Sequence, residues 1–266
     1  MTSGVTGATF LKIIPGARPN ALGESACVAT PDDDAILNTA GEKEDLVTAT
    51  GNSQFDGLVN QQNLGINFSK HYSLNIIRVG VPDIEKTDDS GNSEGSFDAQ
   101  NLAVILAYGW KPNDKLSLGF AGKFIQESIE NESTSGVALD AGALYKYNSN
   151  WTFGATLNNL GCESAFIKET SPLPLNLKLA AAYNQDKLTL AAGIVIDPYN
   201  PKLNLGGEYQ LSDLLLLRAG VAASSSGVNV SGGFGIKKNG VQVDYAFTPN
   251  PNELGNTHRV TVGYRF

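Results

Sequence analysis

Thr257-His258-Arg259-Val260-Thr261-Val262-Gly263-Tyr264-Arg265-Phe266 decides how the rest of the chain is read. Side chains alternate along a strand with a period of two. His258, Val260, Val262, Tyr264 and Phe266 therefore share one face, and Thr257, Arg259, Thr261, Gly263 and Arg265 the other. The first face is mostly apolar, the second polar. The stretch stops on an aromatic residue of the apolar face. That suits a barrel in a bilayer, where aromatic side chains are stabilised at the membrane–water interface. The stretch is expected to be the last strand of such a barrel, with Tyr264 and Phe266 at the periplasmic interface and Arg259 and Arg265 facing the lumen.

The same alternation recurs upstream. Leu102, Val104, Leu106, Tyr108 and Trp110 share a face, as do Leu116, Leu118, Phe120 and Phe124, then Val137, Leu139, Ala141, Ala143, Tyr145 and Tyr147. Leu175 to Tyr183, Leu188 to Ile196, Leu203 to Tyr209, Val228 to Ile236 and Val241 to Phe247 continue it. The opposite face is small or charged and carries Lys123, Asp140, Lys146, Lys178, Glu208, Arg218, Asp244 and Arg259. Alternation alone fits a soluble sandwich with the apolar face inward or a membrane barrel with that face outward. Turn lengths separate the two. Lys111–Asp114, Asn148–Asn150, Asn184–Asp186, Gln210–Ser212 and Lys237–Gly240 are short, whereas Pro82–Ser96, Asn158–Pro174 and Pro249–Asn256 are longer and polar. Membrane barrels show this asymmetry between periplasmic turns and external loops. Aromatics collect beside the short turns, and Trp110, Tyr147, Trp151, Tyr183, Tyr209, Tyr264 and Phe266 are the expected membrane anchors.

The pattern predicts an all-β chain: a transmembrane antiparallel up-and-down β-barrel of about fourteen strands over residues 44–266. An even count puts both ends of the barrel on one side. Its own side chains do not fill a barrel of that width. Residues 1–43, which break the alternation, are therefore expected to form a plug or hatch inside it. The lumen charges Asp140, Lys146, Lys178, Glu208, Arg218, Asp244 and Arg259 are expected to pair with each other or with the plug.

Composition narrows the function. The 266 residues are 41% hydrophobic and 17% charged, with 29 glycines. No apolar run is long enough for a membrane-spanning helix, so entry into a membrane requires a closed barrel. A net charge of −8 without a basic stripe argues against nucleic acid as a partner. Met1–Gly7 lacks a basic region followed by an apolar core, so a mature form is expected rather than one beginning with a signal peptide. Cys27 and Cys162 are too few for a disulfide framework, and one bridge between them is left open. His71 and His258 stand near no nucleophile, and Gly232-Gly233-Phe234-Gly235 opens no helix that would cradle a phosphate. Asp88-Asp89-Ser90-Gly91-Asn92 lacks the spacing of a calcium loop. No catalytic residue, metal site or cofactor is expected, and the protein is read as a non-enzyme.

The amino-terminal residues carry a resemblance. Gly16-Ala17-Arg18, Ala21-Leu22-Gly23-Glu24-Ser25-Ala26, Asp32-Asp33-Asp34-Ala35-Ile36 and Asn38-Thr39-Ala40-Gly41 follow one another in the order G-A-R-A-L-G-M-G-G-A, D-D-A, N-P-A-G. Leu139-Asp140-Ala141-Gly142-Ala143-Leu144-Tyr145, Asn159-Leu160-Gly161, Pro172-Leu173-Pro174, Leu217-Arg218-Ala219-Gly220, Asp244-Tyr245-Ala246-Phe247 and Leu254-Gly255-Asn256-Thr257-His258-Arg259 extend it. This set resembles PorV/PorQ-type outer-membrane proteins and, more distantly, FadL-type fatty-acid channels. Thr39 stands where the motif has Pro, and Glu24 where it often has Met. The resemblance implies a fourteen-stranded barrel of the bacterial outer membrane with an amino-terminal hatch. It implies either passive diffusion of a small hydrophobic solute past that hatch, or a protein-interaction barrel acting as shuttle or anchor for a secretion system. Carried over by motif, Arg18, Asp33, Asp34, Asn38, Thr39, Ala40 and Gly41 are the expected substrate-binding or gating residues. The expected partners are outer-membrane lipid, a hydrophobic small molecule and secretion-system proteins.

Overall fold

The computed structural model describes residues 6–25, 45–69, 71–163, 171–250 and 255–266. These form fourteen antiparallel strands: β1 Leu46–Gln54, β2 Val59–Phe68, β3 Tyr72–Thr87, β4 Ser93–Trp110, β5 Leu116–Ile129, β6 Glu132–Lys146, β7 Trp151–Glu163, β8 Asn176–Gln185, β9 Leu188–Ile196, β10 Lys202–Gln210, β11 Leu215–Ser224, β12 Gly227–Lys238, β13 Val241–Thr248 and β14 Thr257–Arg265. Each strand pairs with the next, and β14 closes the barrel on β1, Leu46 standing opposite Arg265 and Ser53 opposite His258. Closure removes every free sheet edge, which a bilayer demands.

Burial settles the sense of the alternation. Phe120 and Leu139 are 61% and 62% exposed, while Asn52, Gln61, Asn63, Glu208 and Arg218 are buried. Apolar side chains point out and polar ones in, the reverse of a soluble sandwich. β14 keeps the faces read from its sequence: Thr257, Arg259 and Gly263 are buried, and His258, Val260, Val262 and Tyr264 are exposed. Among the described residues no helix is long and apolar enough to cross a membrane.

Two features depart from the sequence expectation. Pro82–Ser96 is not a loop: β3 and β4 stay paired until Thr87 and Ser93, leaving Asp88–Asn92 as the turn. Asp88 accepts hydrogen bonds from the backbone N–H of Ser90 and Asn92 and so shapes this turn. A bulge between Val81 and Ile84 absorbs the irregular Pro82-Asp83 pair, and the Asp83 N–H donates to Asp98 at 3.1 Å. The outward apolar band ends near Arg78, which donates to Gln100 at 2.9 Å, so the rest of this hairpin projects beyond it. The turns at residues 130–131 and 225–226, on the same rim, are also short. Length therefore lies in the strands as much as in the loops.

The second departure is inside. Part of the inner face of β3–β6 is apolar: Ile77, Val79, Ala103, Ile105, Ala107, Ala121, Ile125 and Ala138 form a buried cluster with Ala8, Phe10 and Leu173. There the strands are apolar on both faces because chain rather than water covers the inner one, while Ser73, Asn75, Lys123 and Asp140 keep the rest of it polar.

Candidate functional site

Residues 6–25 lie against the inner faces. A 3₁₀ turn, Thr9–Lys12, places Phe10 in the apolar cluster of β3–β6. The Gly7 N–H donates to the Pro172 carbonyl at 3.1 Å and the Ala8 N–H to Glu127 at 3.0 Å. A short helix, α1, spans Ala17–Ala21. Asn20 Nδ2 donates to the Ile14 and Gly16 carbonyls at 2.8 and 2.6 Å and fixes the bend into it. Pro19 sits in the first turn, where the N–H it lacks has no helical partner to lose. Gly23, at φ 62, ends the helix in the left-handed region. α1 packs on β11–β14, with Ala17 and Ala21 against Ala246. The Ala17 N–H donates to Thr261 Oγ1 at 2.9 Å, and Asn204 Nδ2 to the Gly23 carbonyl at 2.6 Å.

The helix is anchored by charge. Arg18 donates twice to Glu208, Nε to Oε2 at 2.8 Å and Nη2 to Oε1 at 2.9 Å, the bidentate geometry that gives such pairs their specificity. Arg218 Nε reaches the same Glu208 at 2.6 Å, and its Nη1 reaches Asp244 at 2.5 Å. One ionic chain thus joins α1 to β10, β11 and β13. Gly235 makes room for it, since a Cβ there would collide with the Arg218 guanidinium and Asp244.

Gly220 serves the docking itself. A Cβ on it would fall inside contact distance of the Gly23 nitrogen and the Leu22 carbonyl carbon. Gly220→Val is expected to push the segment off the wall at a cost of about 1–3 kcal/mol. Trypsin cleavage after Lys12 then accelerates by about tenfold or more. Unchanged cleavage would contradict this contact.

A second buried network lies on β5–β7. Lys123 Nζ pairs with Asp140 at 2.7 Å and donates to Asn159 Oδ1 at 2.7 Å. Asn159, in the left-handed region at φ 63 where β7 breaks register with β6, donates its N–H to Asp140 at 2.8 Å and its Nδ2 to the Pro174 carbonyl at 3.0 Å. The motifs around Asp140, Asn159 and Pro172–Pro174, far apart in sequence, meet here. Asn256 has a similar clasping role at the closure of the barrel: the Asp56 N–H donates to its carbonyl at 3.2 Å, and its own N–H donates to Asp56 Oδ1 at 3.1 Å.

The structure separates the other expected residues. Lys178 is half-buried on the inner face, and Lys146 is exposed at the rim rather than within the lumen, because β6 ends there. Asp33, Asp34, Asn38, Thr39, Ala40 and Gly41 lie outside the described residues, as does Cys27; Cys162 is exposed. Trp110, Tyr147, Trp151, Tyr209, Tyr264 and Phe266 are exposed around the short-turn rim. Tyr183 is half-buried, packed at 5.0 Å against Trp151. His258 lies outside the barrel beside Tyr245 at 2.8 Å, and His71 stands in the β2–β3 turn. Among the described residues no group of His, Cys, Asp or Glu could hold a metal.

Sequence reasoning missed Lys12 and Asp197, which meet at 3.0 Å between the segment and the β9–β10 loop. Burial pushes the Asp197 carboxyl up, but the Tyr199 N–H and the Lys12 ammonium together hold it below its usual 3.8. A lowered carboxyl pKa means this contact stabilises docking above the ordinary value and is lost as pH falls through the lowered one. Hydrogen-exchange protection of residues 6–16 is expected to be flat from pH 7 to about 4 and to fall below that, and Asp197→Asn should remove the transition.

Solved structures share this architecture. The chain is similar to a FadL homologue of Pseudomonas aeruginosa at 12% identity and a TM-score of 0.70, with 95% of this chain and 98% of that one covered. It is similar to the Pseudomonas putida toluene transporter TodX at 12% identity and 0.63, covering 93% and 96%. It is also similar to the CymD monoaromatic hydrocarbon channel at 12% and 0.67, covering 95% and 97%. At such identity the likeness is one of fold. Comparison with curated proteins gives no match. Residues 91–264, well over half of the chain, match the type IX secretion system membrane protein family PorP/SprF. PorV/PorQ, which motifs along nearly the whole chain resemble, is not the family this match supports; it covers the motifs from Leu139 onward and leaves residues 16–41 outside. An outer-membrane β-barrel by architecture, the chain belongs to the PorP/SprF family of type IX secretion system membrane proteins.

Proposed function

We propose that this barrel serves the type IX secretion apparatus as a closed scaffold in the outer membrane. In this reading residues 6–25 stopper the lumen, and the hairpins of β3–β4 and β5–β6 offer a protein partner a surface beyond the lipid. The observation that carries it is the bidentate Arg18–Glu208 contact within a buried ionic chain. Such a contact fixes the segment in place rather than leaving it free to swing. Family membership supplies the class of partner. The exposed aromatics of the short-turn rim set the inner membrane interface. The test is purification of the tagged full chain from native membranes in mild detergent. Secretion-system proteins should co-purify, and replacing residues 82–97 by a two-residue turn should lose them. Recovery of the barrel alone, from membranes in which the apparatus is assembled, would sink the reading.

A second reading, a channel for a small hydrophobic solute with the segment as hatch, draws support from two of the structures of the same fold, described as a toluene transporter and a monoaromatic hydrocarbon channel. Liposomes holding the wild-type chain would then admit toluene faster than empty ones at equal lipid. Equal rates would remove this reading.

A further inference from the structure

Arg259 sits on the inner face of β14, near the rim opposite the short turns. It is 8% exposed and its Nε has no hydrogen-bond partner; no ion pair or hydrogen bond joins it to any described residue. The other cations buried in the lumen are tied: Arg18 and Arg218 to Glu208, and Lys123 to Asp140. A buried guanidinium without a counter-charge is unfavourable unless something occupies the space before it. That space exists. Arg259 lines a chamber of about 380 Å³ between α1 and the walls of β10–β14. Lys202 and Glu24 line it too and pair at 3.2 Å; Glu24 also attracts Arg259 from a distance, so one carboxylate serves two cations there. The remaining wall mixes hydroxyl and amide groups, including Ser224, Asn229 and Ser231, with apolar surface from Phe55, Ala222 and Pro249. Among the described residues the chamber therefore carries one net positive charge, and its lining is partly polar.

We propose that the chamber is a binding site for a small hydrophilic carboxylate monoanion, held by Arg259. The planar guanidinium fork matches a carboxylate in two parallel hydrogen bonds. The hydroxyl and amide groups of the wall select against a bare hydrocarbon, which would leave them unpaired. This goes beyond the secretion-scaffold reading and is independent of it.

The probe is sodium gluconate, with glucose as its uncharged counterpart, titrated calorimetrically into the full chain in detergent at low salt. Gluconate should bind and glucose should not. Arg259→Gln should weaken gluconate at least tenfold, and Arg259→Lys should fall between. Because Gln removes an unpaired buried charge, R259Q should also melt no lower than the wild type. Absence of gluconate binding to the wild type, or equal binding by R259Q, would overturn the proposal. So would loss of binding together with a lower melting temperature, which would assign Arg259 to the packing of the wall.

Discussion

Replacing Glu208 by Ala is expected to release residues 6–25 from the wall and to destabilise the barrel by about 3–5 kcal/mol, the scale for removing one partner of a buried ion pair. Glu208 holds Arg18 and Arg218 at once. The Arg218 side chain is wholly buried, and without Glu208 it keeps Asp244 but loses one of its two carboxylate partners. Arg18 loses both hydrogen bonds of its bidentate contact, which weakens the hold on its segment. Two readouts should move together: the melting temperature in detergent falls, and trypsin cleavage after Lys12 rises. Glu208→Gln, which keeps the shape and loses the charge, should show the same direction at smaller size. A variant that melts lower while its segment stays protected would separate Glu208 from the docking.

Asp140→Ala should cost about as much, again about 3–5 kcal/mol, by a different route. It strands the buried Lys123 ammonium and removes the acceptor of the Asn159 N–H. Asn159 in turn holds the Pro174 carbonyl, so the return into β8 loosens. Hydrogen exchange should quicken around Asn159 and Asn176 while residues 17–23 remain protected. Loss of protection at both places would mean that the two networks are coupled, against the separation seen here.

The barrel was legible because its physics is local. A period of two needs only a few residues to declare itself, and Val260, Val262 and Tyr264 fall outward as the pattern of β14 requires. The family resemblance pointed to an outer-membrane barrel of FadL-like fold and to a secretion system, and the match is to PorP/SprF. What stayed hidden depends on partners distant in sequence. Arg18 and Glu208 are 190 positions apart, and nothing in either neighbourhood names the other. The inner apolar cluster on β3–β6 was missed because a polar lumen is the rule where water fills it, and here Phe10 and Leu173 replace the water. Pro82–Ser96 looked like a loop because Pro, Asp, Gly and Ser are turn residues. Cross-strand pairing and one bulge keep it a hairpin. Lys146 has the parity of a lumen residue, but parity does not say where a strand ends. Glycine runs were informative only in retrospect: Gly220 and Gly235 are empty where the segment's backbone and the Arg218 guanidinium need the space.

Conductance in planar bilayers tests most directly the proposal that the docked segment closes the lumen. Wild-type chain inserted at neutral pH should stay silent, and Glu208→Ala should give stepwise openings as residues 6–25 leave the wall. Equal conductance from the two proteins would contradict it.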